Sequence, residues 1–313
     1  MSDLQENDRK TAGRFATLAF VTAGFTYALI VFGGVVRITG SGMGCGDDWP
    51  LCNGQLIPPL DFETLIEYGH RLAAALVGLL VLLVAGHAVK NRNASGIAGR
   101  GIAGLAVAAL LLLIVQVLVG AITVKLELPT STVVLHLALA STLLATLLIA
   151  GLRARGAVPS AAEPGRTPSH TRWALASAAL GFVALLFGGL VANTGAAPLC
   201  QGFPLCNGQV MPEGGSLVHL HWTHRLLGYA LVLLVAIAVL RTRTQVAGKA
   251  IFGSALLAAG LVVVQIAVAA AMVLLSLPPV YRALHLAVGA ALWGVLVVWA
   301  TVAARQPAPA PAG

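Results

Sequence analysis

Charge is what this sequence is short of. Only 10% of its 313 residues are Asp, Glu, Lys or Arg, where a soluble domain carries about 25%. Hydrophobic residues make up 58%, and the mean hydropathy is +0.90. Together these exclude an ordinary soluble domain and point to a bilayer. Acids are scarcer than bases, eleven against nineteen, for a net charge of +8. In a soluble protein that excess would suggest nucleic acid. Here the bases sit in short loops between apolar stretches, so they report topology and no nucleic-acid partner is expected. Asp3, Glu6 and Asp8 near the start argue against a mitochondrial transit peptide, which is poor in acids. The first apolar stretch is too long for a cleaved signal and is read as a retained helix. Cysteine is rare: Cys45, Cys52, Cys200 and Cys206 are the only four. None forms a Cys-x-x-Cys, which weakens a metal reading.

A spanning helix needs roughly 20 mostly apolar residues. Eight stretches qualify, near 14–37, 66–89, 101–124, 131–152, 172–194, 219–240, 250–273 and 281–304. Arg9, Lys10, Arg14, Lys90, Arg92, Arg100, Arg153, Arg155, Arg166, Arg172, Arg241, Arg243, Lys249 and Arg305 fall on one side of these spans. Arg37, Arg71, Lys125, Arg225 and Arg282 fall on the other, with most of the acids. The positive-inside rule then places both termini in the cytoplasm.

The chain repeats itself. FGGVVRITGSGMGCGDDWPLCNGQ at 32–55 and FGGLVANTGAAPLCQGFPLCNGQ at 187–209 share their motifs in order. His70-Arg71 matches His224-Arg225. Gln116, Pro129 and His136 match Gln265, Pro278 and His285 at an offset of 149. Four spans per repeat make both halves enter from the same side, so the expected fold is all-α: eight transmembrane helices as two pseudo-two-fold-related four-helix bundles. The expected divisions are a cytoplasmic tail 1–13, an N-terminal half 14–152, a cytoplasmic linker 153–171, a C-terminal half 172–305 and a disordered Pro/Ala tail 306–313.

His70, His136, His224 and His285 each lie five or six residues past an expected helix start, roughly 8–9 Å below the outer surface. Two alternatives meet here. Each histidine can make an interhelical hydrogen bond, or the pairs His70/His136 and His224/His285 can ligate haem iron axially. Zinc would need tighter clustering and further ligands. His87 and His170 fall at cytoplasmic ends, and His219 and His221 at the outer mouth of the sixth span. Arg71, Arg225 and Arg282 lie beside the ligand candidates, where arginine can pair with haem propionates or snorkel to headgroups.

Each cysteine pair occupies one outer loop, in an oxidising compartment if that face is outside, so Cys45–Cys52 and Cys200–Cys206 are the expected disulfides. They can staple the loops or exchange electrons. The halves differ at Glu67, which aligns with His221. One turn before His70, Glu67 can move protons beside a haem or pair with a neighbouring arginine. The asymmetry suggests chemistry in half one and a permanent cofactor in half two.

The run Gly33-Gly34-Val35-Val36-Arg37-Ile38-Thr39-Gly40-Ser41-Gly42-Met43, then Asp48-Trp49-Pro50 and Glu67-Tyr68-Gly69-His70-Arg71, resembles the haem A synthase family, as do Pro-Leu-Cys-Asn-Gly-Gln and His-Arg in the second half. The likeness covers about residues 14–305. It implies an oxidoreductase of the bacterial inner membrane that oxidises the C8 methyl of haem O to a formyl group through successive hydroxylations, giving haem A. It implies substrate haem at His70 and His136, with Arg71 beside it, and a haem b cofactor at His224 and His285, with Arg225 beside it. It assigns the functional acid to Glu67 and places the haems near the outer face. Partners implied are haem O, haem O synthase and an unidentified electron-transfer partner; Gly101-x-x-Gly104 would permit a homo-oligomer. The rivals are a bis-histidine b-type cytochrome, a haem carrier without catalysis and a disulfide-generating membrane protein.

Overall fold

The computed structural model describes residues 2–59, 61–94, 97, 101–156, 169–244 and 249–304. Arg100, Arg166 and Arg305, most of the 153–171 linker and the 306–313 tail lie outside the described residues.

Eight helices among the described residues are long and apolar enough to cross a membrane. They are α1 (Ser2–Ile38), α2 (Phe62–Lys90), α3 (Ile102–Lys125), α4 (Thr130–Ala154), α5 (Ser169–Asn193), α6 (Ser216–Thr244), α7 (Lys249–Leu274) and α8 (Pro279–Ala303). Each expected span falls within one of them. The stretch expected as a separate tail, 1–13, is instead helical from Ser2 and continuous with α1. No Pro or Gly interrupts it before Gly13, and Glu6 and Lys10 pair one turn apart.

Local chemistry sets the boundaries. Asp61 caps α2: its carboxylate accepts from the Thr64 amide at 3.1 Å and the Thr64 hydroxyl at 2.7 Å, satisfying a helix-end donor. The α3–α4 and α7–α8 connections are the same turn twice. Glu127, Leu128, Ser276 and Leu277 are all left-handed, with φ of 56°, 63°, 64° and 63°. The Leu128 and Leu277 amides return to the carbonyls of Thr123 and Met272. Pro129 and Pro278 then open the next helix, with φ already fixed.

The helices are inverted relative to a soluble bundle. Leu79, Leu82, Leu118 and Val263 face outward, while Ala19, Ala23, Ala106, Ala109, Ala255 and Ala258 are buried. Small residues let helices approach closely where lipid supplies no hydrophobic drive. Buried Thr22 and Thr26 satisfy their hydroxyls on the carbonyls one turn back, Leu18 and Thr22. With no water at this depth, such local bonds remove the cost of an orphan hydroxyl.

In the first half α1 packs on α2, α2 on α3, α3 on α4 and α4 on α1. In the second half α5 packs on α6, α6 on α7, α7 on α8 and α8 on α5. The halves meet through α4–α8, α1–α8 and α4–α5. Exchanging α1–α4 with α5–α8 leaves that set of contacts unchanged. The seam is tight: Trp293 Nε1 donates to the Ser141 carbonyl at 3.0 Å and Tyr27 to the Ala287 carbonyl at 3.2 Å. Gly34 admits Leu286 so closely that a methyl there would fall 1.9 Å from its Cδ2.

At one end of the bundle, the loops after α1 and α5 are each closed by a disulfide. Cys45–Cys52 and Cys200–Cys206 have Cα separations of 4.4 and 4.9 Å, and all four cysteines are bonded as expected. Each loop ends in a Cys-Asn-Gly-Gln hairpin. Asn53-Gly54 and Asn207-Gly208 hold positive φ at both central positions, the turn that Asn-Gly favours. Cys52 pairs with Gln55 and Cys206 with Gln209 as isolated bridges.

Candidate functional site

The four matched histidines lie near the disulfide end. His70 and His224 are eight residues past Phe62 and Ser216, and His136 and His285 six past Thr130 and Pro279. The first two are therefore deeper than expected, because α2 and α6 begin earlier than their apolar stretches suggest. That early start adds residues 62–65 to α2, Glu63 among them, and residues 216–218 to α6.

Three of the rings rest on glycines of the neighbouring helix. A methyl at Gly33 of α1 would lie 3.2 Å from His70 Cε1. One at Gly120 of α3 would lie 3.0 Å from His136 Cε1, and one at Gly188 of α5 would lie 3.0 Å from His224 Cε1. The Phe-Gly-Gly repeat was visible in the sequence; its use as a histidine seat was not. Phe32 adds an edge contact to His70 at 5.7 Å. His285 instead meets the Gln265 amide, whose nitrogen is 3.1 Å from Nδ1 and 3.0 Å from the His285 carbonyl.

His224 and His285 lie together with ring centroids 6.2 Å apart in a T-shaped arrangement, planes at 88°. Nδ1 of His70, His136 and His224 is buried without a hydrogen-bond partner, where buried polar atoms are normally paired. An interhelical hydrogen bond therefore leaves one nitrogen of each of these three rings unaccounted for. Among the described residues no three His, Cys, Asp or Glu side chains converge, so a metal here would meet a histidine pair. Such pairs suit haem iron and do not suit structural zinc.

Glu67 is buried, one turn before His70. Its Oε1 accepts from Arg71 Nη2 at 2.7 Å, and its Oε2 from the Cys45 amide at 2.9 Å. The ion pair with a neighbouring arginine is thus present. Arg71 also donates to the carbonyls of Asp48 and Leu51 at 2.8 and 2.6 Å. Arg225 repeats this on the carbonyls of Gly202 and Leu205 at 2.8 and 2.9 Å and also reaches Cys200. Arg71 directs two hydrogen bonds into the disulfide loop above it and Arg225 three. His221 occupies the position of Glu67: it is buried, with Nδ1 3.2 Å from the Ala196 carbonyl and Nε2 facing Arg225 Nε at 3.4 Å. The first loop is thus fastened by a carboxylate and the second by an imidazole. Gly44 makes the first fastening possible, because a methyl there would strike the Glu63 backbone at 2.4 Å.

At the same end, Thr64 holds the exposed Asp61 carboxyl below its ordinary pKa, chiefly through the hydroxyl and then the amide. The sequence reading missed Arg37 and Asn193, whose side chains meet at 3.0 Å, and Thr130, which donates to the Asn193 carbonyl at 2.8 Å. His219 is exposed.

The fold and these residues define a polytopic membrane protein with two matched histidine pairs, one in each four-helix half. The profile of a cytochrome oxidase assembly protein family matches residues 16–297. A haem A synthase of Halalkalibacterium halodurans is 33% identical over 68% of this chain and 71% of its own length. That of Symbiobacterium thermophilum is 30% identical over 85% and 88%, and that of Alkalihalophilus pseudofirmus 29% over 74% and 77%. The chain belongs to this family of cytochrome oxidase assembly proteins.

Proposed function

We propose that the chain acts as a haem A synthase, an oxidoreductase that converts the C8 methyl of haem O to the formyl group of haem A. The observation that carries this reading is the pair of buried histidine couples, one per half, in a chain of this family. His70 and His136 would hold the substrate haem, and His224 and His285 a resident haem b, which when bound supplies one-electron transfer. The glycine and glutamine contacts would fix the positions of the four rings that hold these groups.

Glu67 is the acid of half one. Its carboxylate, one turn from His70 and fastened to the disulfide loop, can accept a proton released as the methyl is oxidised. Arg71 and Arg225 hold the loops over the haem edges. Arg71 has five N–H groups, and the bonds described use three, so two remain to meet a propionate. The exchange-symmetric packing supports a pseudo-two-fold axis along the membrane normal. The lysine and arginine distribution supports cytoplasmic termini and a disulfide end facing outward, in a bacterial inner membrane.

The test is chromatography of haems extracted from protein co-expressed with haem O synthase in a host lacking haem A. Haem A or its hydroxylated precursor beside haem b is the expected result. Haem b alone, at two per chain, would refute it in favour of a bis-histidine cytochrome. The matching glycine seats in the two halves are the observation that favours that second reading.

A further inference from the structure

Arg37 and Arg282, at the disulfide end, are unused by the mechanism, and Arg37 is the one that stands above a glycine seat. Arg37 sits in the last turn of α1, four residues after Gly33, the seat of His70. Residues so spaced share a helix face, so Arg37 stands one turn, about 6 Å, above that seat. Its guanidinium is turned into the protein. Nε donates to Asn193 of the second half at 3.0 Å, and Nη1 lies 3.5 Å from where a methyl on buried Gly42 would be. The side chain is half-buried. Arginine has five N–H donors, and among the described residues only Nε has a partner. The repeat offers no copy, since Ala192 occupies the matching place. Arg71 commits donors to its loop and to Glu67, Arg225 to its loop and to His221, and Lys125 faces Asp47. Arg37 alone combines a covered position, free paired donors and alignment above a histidine seat. A planar fork of that kind matches a carboxylate bidentately.

We propose that Arg37 is a second carboxylate-binding residue of the half-one site, beside Arg71, and takes one propionate of the porphyrin held between His70 and His136. This rests on the reading that half one binds haem. Asn193, held in turn by Thr130, aims the guanidinium and ties the propionate edge to the seam between the halves.

The experiment compares two probes, ferric haem b and its dimethyl ester, titrated by absorbance into purified protein with the second-half haem in place. Wild type should prefer the free acid. Arg37→Ala and Arg37→Gln should weaken acid binding by about ten- to a hundredfold and leave ester binding unchanged, with Arg37→Lys intermediate. Equal loss for both probes would make Arg37 a clamp between helices and overturn the proposal. So would a wild type indifferent to esterification, a result that needs no variant to fold. His70→Ala separates the two levels. If it leaves both titrations unchanged, half one does not bind haem and the underlying reading fails. If it abolishes them while the Arg37 variants show no acid selectivity, only the propionate assignment fails.

Discussion

Gly188→Ala puts the glycine seats to a quantitative test. The added methyl would lie 3.0 Å from His224 Cε1, 3.5 Å from Nε2 and 3.7 Å from Nδ1. The first distance is closer than side-chain carbons ordinarily come, so the ring must retreat by a few tenths of an ångström. His224 has little freedom to do so if it faces His285 across a bound iron. Overpacking of this kind costs about 1–3 kcal/mol. Alanine in a helix interior recovers about 0.5–1 kcal/mol relative to glycine. The net loss is then about 1–2 kcal/mol, and it falls on the haem-competent position of the ring. That is about a five- to thirtyfold loss of affinity for the resident haem. The assay is the haem-to-protein ratio and reduced-minus-oxidised spectrum of purified protein, with His224→Ala as the empty reference. Gly228→Ala is the control: it lies one turn after His224, and nothing comes within 4 Å of its added methyl, so only the propensity gain applies. If Gly188→Ala binds haem as tightly as Gly228→Ala, His224 is not seated on Gly188 in the working protein.

Three further outcomes are expected. Glu67→Gln should keep the second-half haem and lower haem A yield. Glu67→Ala should also loosen the first loop, because Arg71 loses its buried counter-charge at a cost of about 3 kcal/mol, read as a lower unfolding temperature; full turnover by Glu67→Gln would make the residue purely structural. Replacing Cys45 and Cys52 together by serine removes a short closed loop worth about 2–2.5 kcal/mol by chain entropy. A fall in protein level marks a staple, and retained level with lost product marks redox participation. Asp61 has a folded pKa below its unfolded one, so its capping contribution is complete above the unfolded value and is lost as pH falls through the folded value. Asp61→Asn should therefore flatten the acid limb of the stability profile below about pH 4, and an unchanged limb would show that the cap does not contribute.

Spans, repeat and histidine pairs were legible because each rests on residue type and spacing. Hydropathy marks a helix wherever about 20 apolar residues run together, and an offset of 149 aligns the second histidine of each half. Helix starts were less legible: Asp61 caps α2 one residue before Phe62, yet the apolar run is not evident until later. The partners of Arg71 and Arg225 could not be read at all. They bond backbone carbonyls, which carry no sequence signature, and they reach them only because the disulfide hairpin folds back over the helix. Arg37 was hidden for a related reason. Its partner Asn193 lies 156 residues away and has no equivalent in the first half, so the repeat that revealed the histidines could not reveal it.

The two halves share a frame and diverge where charge is placed. Hairpin, left-handed turns, glycine seats and the loop-holding arginines occur in both, and on the proposed reading these would hold a flat cofactor at fixed depth. Glu67 faces His221 in the alignment, Arg37 faces Ala192, and Arg282 faces Val133. In half one, Glu67 and Arg71 form a charged link from the Cys45 amide to the turn that carries His70. In half two the same span is bridged by His221 and Arg225, with a ring where the carboxylate was. His221 fastens the second loop without a negative charge; Glu67 fastens the first and brings a carboxylate beside His70. A duplicated frame of this kind could keep a permanent haem in either half. The substitutions at these few positions are what would make one of the two sites reactive, and the exchange Glu67→His locates the difference. If it yields a chain that binds haem at both histidine pairs and makes no product, catalysis resides in the carboxylate. Normal product from that chain would mean the asymmetry lies elsewhere.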